Sequence, residues 1–124
     1  MSKMLLSIKP VYVKKILEGK KKYEFRKFHC KEDVDTIVIY STAPEKKVIG
    51  EVPLLDIIEG DVEYVWQQTR PDGGITKKAF KEYYKDKEIA TAYKLGEVVI
   101  YEEPKELADF GLNYAPQSYA YIDG

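Results

Sequence analysis

Pro10 and Gly19 bracket eight residues and divide the first quarter of the chain into strand, helix and strand. Before Pro10 stands a short apolar run, Leu5-Leu6-Ser7-Ile8, which reads as a buried strand. Proline suits the first turn of a helix, because its φ is already helical and an N–H there has no partner to lose. Val13, Ile16 and Leu17 follow at helical spacing as one apolar stripe. Gly19 then closes the helix, as a residue free to take positive φ does. After Lys20, Lys21 and Lys22, the segment Tyr23-Glu24-Phe25-Arg26 alternates with period two. That places Tyr23 and Phe25 on one face of a strand and Glu24 and Arg26 on the other. A chain that changes period this early folds as α+β, or as a β-barrel with added helices. Lysine, carboxylate and guanidinium meet at the helix–strand junction, and a site is expected there.

The rest of the chain continues the pattern. Thr36 to Tyr40 is almost all β-branched or aromatic and reads as a central strand buried on both faces. It ends at Ser41-Thr42-Ala43-Pro44. Val48 to Val52 returns as an antiparallel strand, with Gly50 at a bulge or close backbone contact and Pro53 ending the strand at an edge or bend. Asp61 is placed to cap a helix over residues 62–70, with Val62, Val65, Trp66 and Thr69 inward. Pro71-Asp72-Gly73-Gly74 is a turn. Thr76 caps a third helix with Ala79, Phe80, Tyr83 and Tyr84 inward and lysines outward. Thr91 to Leu95 and Val98 to Tyr101 read as strands, stopped by Glu102-Glu103-Pro104. Residues 105–110 form a helical turn, and Gln117 to Ile122 a last strand. With 124 residues and no linker or repeat, one domain over 1–124 is expected, carrying a helical excursion at about 61–88.

Charge is unevenly placed. The net charge is −1, yet residues 1–31 hold ten Lys or Arg against Glu18 and Glu24, while the remainder is strongly acidic. This is a basic module on an acidic body, able to form a local patch for a polyanion or to solvate a helix face. The single cysteine excludes an intrachain disulfide, and one His with one Cys is too little for most zinc sites, so no metal is expected. His29 and Cys30 are adjacent on an extended segment and point apart, which argues against a nucleophile–base pair. No dinucleotide or P-loop signature is present, so no cofactor is expected. No signal-peptide pattern and no apolar run near 20 residues appear, so a cytoplasmic location without membrane contact is expected.

Gly19, Lys21, Glu24 and Arg26 together resemble the G-x-K-x-x-E-x-R motif of the ASCH (activating signal cointegrator homology) domain family. LLSIKP before the helix, IVIYSTAP followed by VIGEV, and the closing APQSYAYI are similar to that family's flanking strands. The excursion at 61–88 is the part least covered. The resemblance implies a PUA-like mixed β-barrel of about five or six strands, with a helix over one opening and a cleft between them. It implies RNA or a nucleotide as partner. Lys21, Glu24 and Arg26 carry over as cleft residues. Lys9, Ser41, Thr42, Gln117 and Ser118 lie in segments that resemble cleft-lining ones.

The chemistry of these residues leaves several functions open. Arg26 suits a bidentate grip on phosphate or a base edge, and Lys21 a single contact. Tyr40, Tyr119 and Tyr121 are candidates to stack an unpaired base. Glu24 accepts from an exocyclic amine or holds Arg26 or Lys21 in place. Enzyme readings set Lys21 as acid and Glu24 as base in a ribonuclease, the catalytic candidates of this chain. Some family members hydrolyse amides of acylated nucleosides with a threonine at the motif's Glu position, and here that position is Glu24. A third reading is a protein-interaction module using the helical excursion.

Overall fold

The computed structural model describes residues 2–123. Its element order is β1 (Ser2–Ile8), α1 (Pro10–Leu17), β2 (Tyr23–Arg26), β3 (Val34–Ser41), β4 (Lys47–Asp61), α2 (Val62–Thr69), α3 (Lys77–Tyr83), β5 (Ile89–Leu95), β6 (Val99–Lys105), a 3-10 turn (Leu107–Phe110) and β7 (Tyr119–Asp123). The fold is mixed α+β. Among the described residues seven strands form one sheet in the order β2-β5-β4-β3-β1-β7, with β6 added on β4. β1 and β3 are parallel, joined across α1 and β2, and the other pairs are antiparallel.

Two expectations are corrected here. Seven strands stand where about five or six were expected, and the sheet is open rather than closed into a barrel. Its path of backbone pairing begins at β2 and ends at β7. Side chains span the gap instead. Phe28 stacks on Tyr119 at 4.1 Å between centroids, the Tyr121 hydroxyl accepts from the Lys31 N–H at 3.1 Å, and Arg26 reaches Ser7 and Ser118.

Pro53 also behaves differently from a strand end. β4 runs on for eight residues past it. Up to Pro53 the strand pairs with β3, and from Leu54 it pairs with β5. A proline suits this changeover because its missing N–H falls where one partner is left and the next begins. Its carbonyl is satisfied by the Gly96 N–H at 2.9 Å. Gly50 is the expected close contact: a Cβ there would stand 2.5 Å from the Val99 carbonyl oxygen. Likewise β6 continues through Pro104 to Lys105, on an edge where proline costs no ladder bond.

Alternation on β1 and β3 feeds two cores. Met4, Leu6, Ile8, Ile37 and Ile39 face α1, where Val13 and Ile16 close over them. Leu5, Val38 and Tyr40 face the opposite side with Val48 and Ile122. A third cluster seats α2 and α3 on β2 and β5 through Phe25, Val65, Trp66, Phe80, Tyr84 and Ala92. Phe80 is its hub, lying edge-on to Phe25 and Tyr84 at 5.0 Å and tilted against Trp66 at 5.2 Å. Both expected caps form. Asp61 accepts from the Tyr64 N–H and Thr76 from the Ala79 N–H, each stabilising by about 1 kcal/mol. Among the described residues no helix is long and apolar enough to cross a membrane.

Candidate functional site

The end of β1, the start of α1, strand β2 and helix α3 enclose a cavity of about 240 Å³. Its polar floor comes from the α1–β2 junction. Lys21 is 4 %, Glu24 6 % and Arg26 9 % exposed. Alternation along β2 explains why two of them gather, since Glu24 and Arg26 share one face of the strand. Lys21, two residues before the strand, brings its ammonium to 3.9 Å from Glu24.

Arg26 acts as a clamp. Its Nε donates to Glu24 Oε2 at 2.9 Å, and its Nη2 lies 2.8 Å from the same oxygen. Nη2 also donates to the Ser7 carbonyl at 2.8 Å, and Nη1 to Ser118 Oγ at 3.2 Å. Both edges of the guanidinium therefore face protein acceptors, and neither is open for the bidentate grip on phosphate that the sequence suggested. The clamp binds the gap edge of β2 to β1 and to the start of β7. The Tyr84 hydroxyl supports it from beneath, donating to the Arg26 carbonyl at 2.7 Å.

Lys21 and Glu24 keep free capacity. The Lys21 ammonium donates to the Gly73 carbonyl at 2.8 Å and stands 3.9 Å from Glu24 Oε1. An ammonium has three N–H groups, so two remain for the cavity or Glu24. Glu24 Oε1 receives no hydrogen bond from the described residues, while Oε2 is held by Arg26. The lysine also lies over two rings, 4.8 Å from the Phe25 centroid and 5.1 Å from that of Tyr12. Burial pulls its pKa below the ordinary lysine value of 10.5. Glu24 works against this, and Lys15 and Arg26 add to it.

The other sequence candidates divide. Lys9 lines the cavity. Ser118 reaches the site through Arg26, and Gln117 beside it is exposed and outside the lining. Tyr40 is 4 % exposed and packs with Leu5, Val38 and Val48 on the far face of the sheet. Ser41 is fully buried and, with Thr42, stands outside the cavity, so neither hydroxyl is brought to Lys21. Tyr119 and Tyr121 lie along the gap beside Phe28 rather than in the cavity. Ser7 does line it, but its hydroxyl is bonded to the Pro116 carbonyl at 2.7 Å.

Three lining residues come from the excursion that the motif left uncovered: Ile75, Ala79 and Tyr83. The cleft thus has α1 on one side and α3 on the other. Tyr83 is 37 % exposed and carries Lys27 over its ring at 4.4 Å, and burial raises its phenol pKa. Tyr12 was also missed, although it lies at i+3 from Lys9, one turn along the helix face. Among the described residues no three His, Cys, Asp or Glu side chains converge as a metal site would require.

Comparison with known proteins places this geometry. An ASCH domain crystal structure from Zymomonas mobilis superposes with a TM-score of 0.86 at 30% identity, covering 97% of this chain and 87% of that one. An ASCH domain-containing ribonuclease of the same organism is 34% identical over 92 residues, which is 73% of this chain and 62% of that protein. A Ureaplasma parvum protein named ATP synthase subunit alpha is 30% identical over 120 residues, which is 96% of this chain. The chain spans only 15% of that relative's length. The ASCH domain family model matches residues 6–106, a stretch that holds the clamp, the lysine and the turn that touches it, and the chain belongs to the ASCH domain family.

Proposed function

We propose that this protein binds single-stranded RNA in the cleft between α1 and α3 and cleaves it there. The observation that carries the reading is the cavity floor: a buried ammonium with N–H groups to spare, 3.9 Å from a carboxylate oxygen that is unclaimed. Acid–base cleavage of a phosphodiester needs one group to take a proton and one to give it. Lys9, Lys21 and Arg26 outnumber Glu24 among the lining residues, which supports a polyanion as the ligand. The similarity to a protein named as a ribonuclease supports the same direction.

In the proposed reaction Glu24 Oε1 takes the proton of a ribose 2′-hydroxyl, and that oxygen bonds to the adjacent phosphorus. The bond from phosphorus to the 5′-oxygen breaks. Lys21 gives that oxygen its proton and faces the charge that develops on the phosphoryl oxygens. A 2′,3′-cyclic phosphate and a free 5′-hydroxyl result. Arg26 holds Glu24 with Oε2 engaged and Oε1 free. Tyr12 and Tyr83 supply ring faces on either side for an unpaired base. DNA lacks the attacking hydroxyl and is not cut.

Labelled single-stranded RNA, hairpin RNA and matched DNA, with and without magnesium, test this on native and denaturing gels. The expected result is cleavage of single-stranded RNA that Glu24→Gln and Lys21→Met abolish while Glu24→Gln still shifts RNA on a native gel. A salt-sensitive shift with intact RNA would reduce the function to binding. No shift and no cleavage at low salt would remove RNA as the ligand.

A further inference from the structure

The turn between α2 and α3 is fitted to Lys21. Three successive carbonyls of the turn point at the α1–β2 junction. Asp72 O accepts the Lys22 backbone N–H at 2.7 Å, Gly73 O the Lys21 ammonium at 2.8 Å, and Gly74 O the Lys15 ammonium at 3.1 Å. The approach leaves no room for side chains. Gly74 sits at φ +66°, and a Cβ there would stand 2.6 Å from Lys21 Cβ and 2.9 Å from its Cγ. A Cβ on Gly73 would stand 3.0 Å from Phe25 Cζ. The helices that carry the turn are anchored elsewhere, by Trp66, Phe80 and Tyr84. The fit to the lysine stem is therefore a property of the turn itself.

We propose that the Pro71–Gly74 turn is the positioning element of the site, with the Gly73 carbonyl holding Lys21 Nζ beside Glu24 and the glycine backbone excluding water from the lysine stem. This rests on the reading of Lys21 as the proton donor. With the turn displaced, the stem relaxes toward solvent and the ammonium leaves Gly73. Glu24 and Arg26 from β2 and Lys15 and Tyr12 from α1 face Lys21, while Lys9 and α3's Tyr83 line the same cavity. Glu24 raises the lysine's proton affinity and Lys15 and Arg26 lower it, and the largest influence is the burial that the turn helps to provide.

The test compares Gly74→Ala with Gly111→Ala. Gly111 has φ +78° and no atom within 4 Å of an added Cβ, so it carries the same backbone strain without a neighbour to push. Lysine side chains labelled at Cε are titrated by NMR, with Lys21 assigned by its loss in Lys21→Met. In Gly74→Ala the Lys21 titration is expected to rise by about one pH unit, and the pH profile of RNA cleavage to move with it. Gly111→Ala is expected to leave both unchanged. Gly74→Asn carries the same Cβ with less backbone strain, and the ring signals of Phe80 and Tyr84 report whether α2 and α3 remain packed. An unmoved Lys21 titration in folded Gly74 variants, or an equal shift in Gly111→Ala, overturns the proposal. The titration needs no RNA. If it moves as expected while Lys21→Met still cleaves, the positioning stands and the catalytic reading falls.

Discussion

Two charged clusters in this molecule have nearly the same composition and opposite character. Lys21, Glu24 and Arg26 form one, between 4 % and 9 % exposed. Glu63, Lys77 and Lys81 form the other, tying the outer faces of α2 and α3 together in water. Glu63 accepts from Lys81 at 3.0 Å, a shorter contact than that between Lys21 and Glu24. Distance alone would rank the exposed pair above Lys21–Glu24 and close to Arg26–Glu24 at 2.8 Å. Solvent reverses the ranking, because exposed pairs are screened and compete with side-chain entropy. A buried carboxylate without its partner has no water to fall back on. The difference shows where charge has structural consequences in this fold and where it only decorates it.

The comparison breaks first at Glu24. Glu24→Ala leaves the Arg26 guanidinium buried with carbonyl and hydroxyl acceptors but no countercharge. The expected loss is about 3–5 kcal/mol in chemical denaturation, with Glu24→Gln losing less because an amide oxygen still accepts from Nε. Equal losses would show that the charge of Glu24, and not its hydrogen bond alone, carries the clamp. Lys21 sharpens the contrast at intermediate size. Its folded pKa is depressed, so between that value and 10.5 the unfolded chain binds more protons than the native one, and stability rises with pH across this window. Lys21→Met removes the dependence. It is expected to be as stable as wild type or more so by roughly 1 kcal/mol at neutral pH, an advantage that shrinks as pH approaches 10.5. An advantage that grows instead would mean that the ion pair with Glu24 outweighs burial. At the small end, Glu63→Gln should leave the thermal midpoint within error at ordinary salt, and a clear drop would contradict the ranking.

The local grammar of the fold was largely legible. Pro10, Gly19, Asp61 and Thr76 each act at the place where a neighbour-level rule puts them, and Tyr23 to Arg26 is a strand with the expected facing. Pro53 was misread as a strand end, because a change of partner strand depends on residues far along the chain and leaves no local mark. In the site, alternation brought Glu24 and Arg26 together but could not say whether β3 reaches the cleft. Tyr40 and Ser41 point to opposite faces of β3, no residue of that strand lines the cavity, and both are found buried away from it. The Gly73 contact joins residues 52 apart in sequence. Two glycines in a turn announce flexibility, and nothing in their spacing announces a lysine beneath them.

The gap between β2 and β7 has a consequence for exchange of amide hydrogens with solvent. β1, β3 and β5 are each flanked by ladders on both sides, and their protons are released only when a ladder opens. Across the gap the welds are a guanidinium, a stacked ring pair and a tyrosine hydroxyl. Each can let go by a rotamer change without unzipping a strand. Deuterium should therefore enter along this seam well before it enters β1 or β3. Early exchange there would make the seam the first place where the molecule opens, and the seam runs past Ser7 and Arg26 at the rim of the cleft in which the lysine sits.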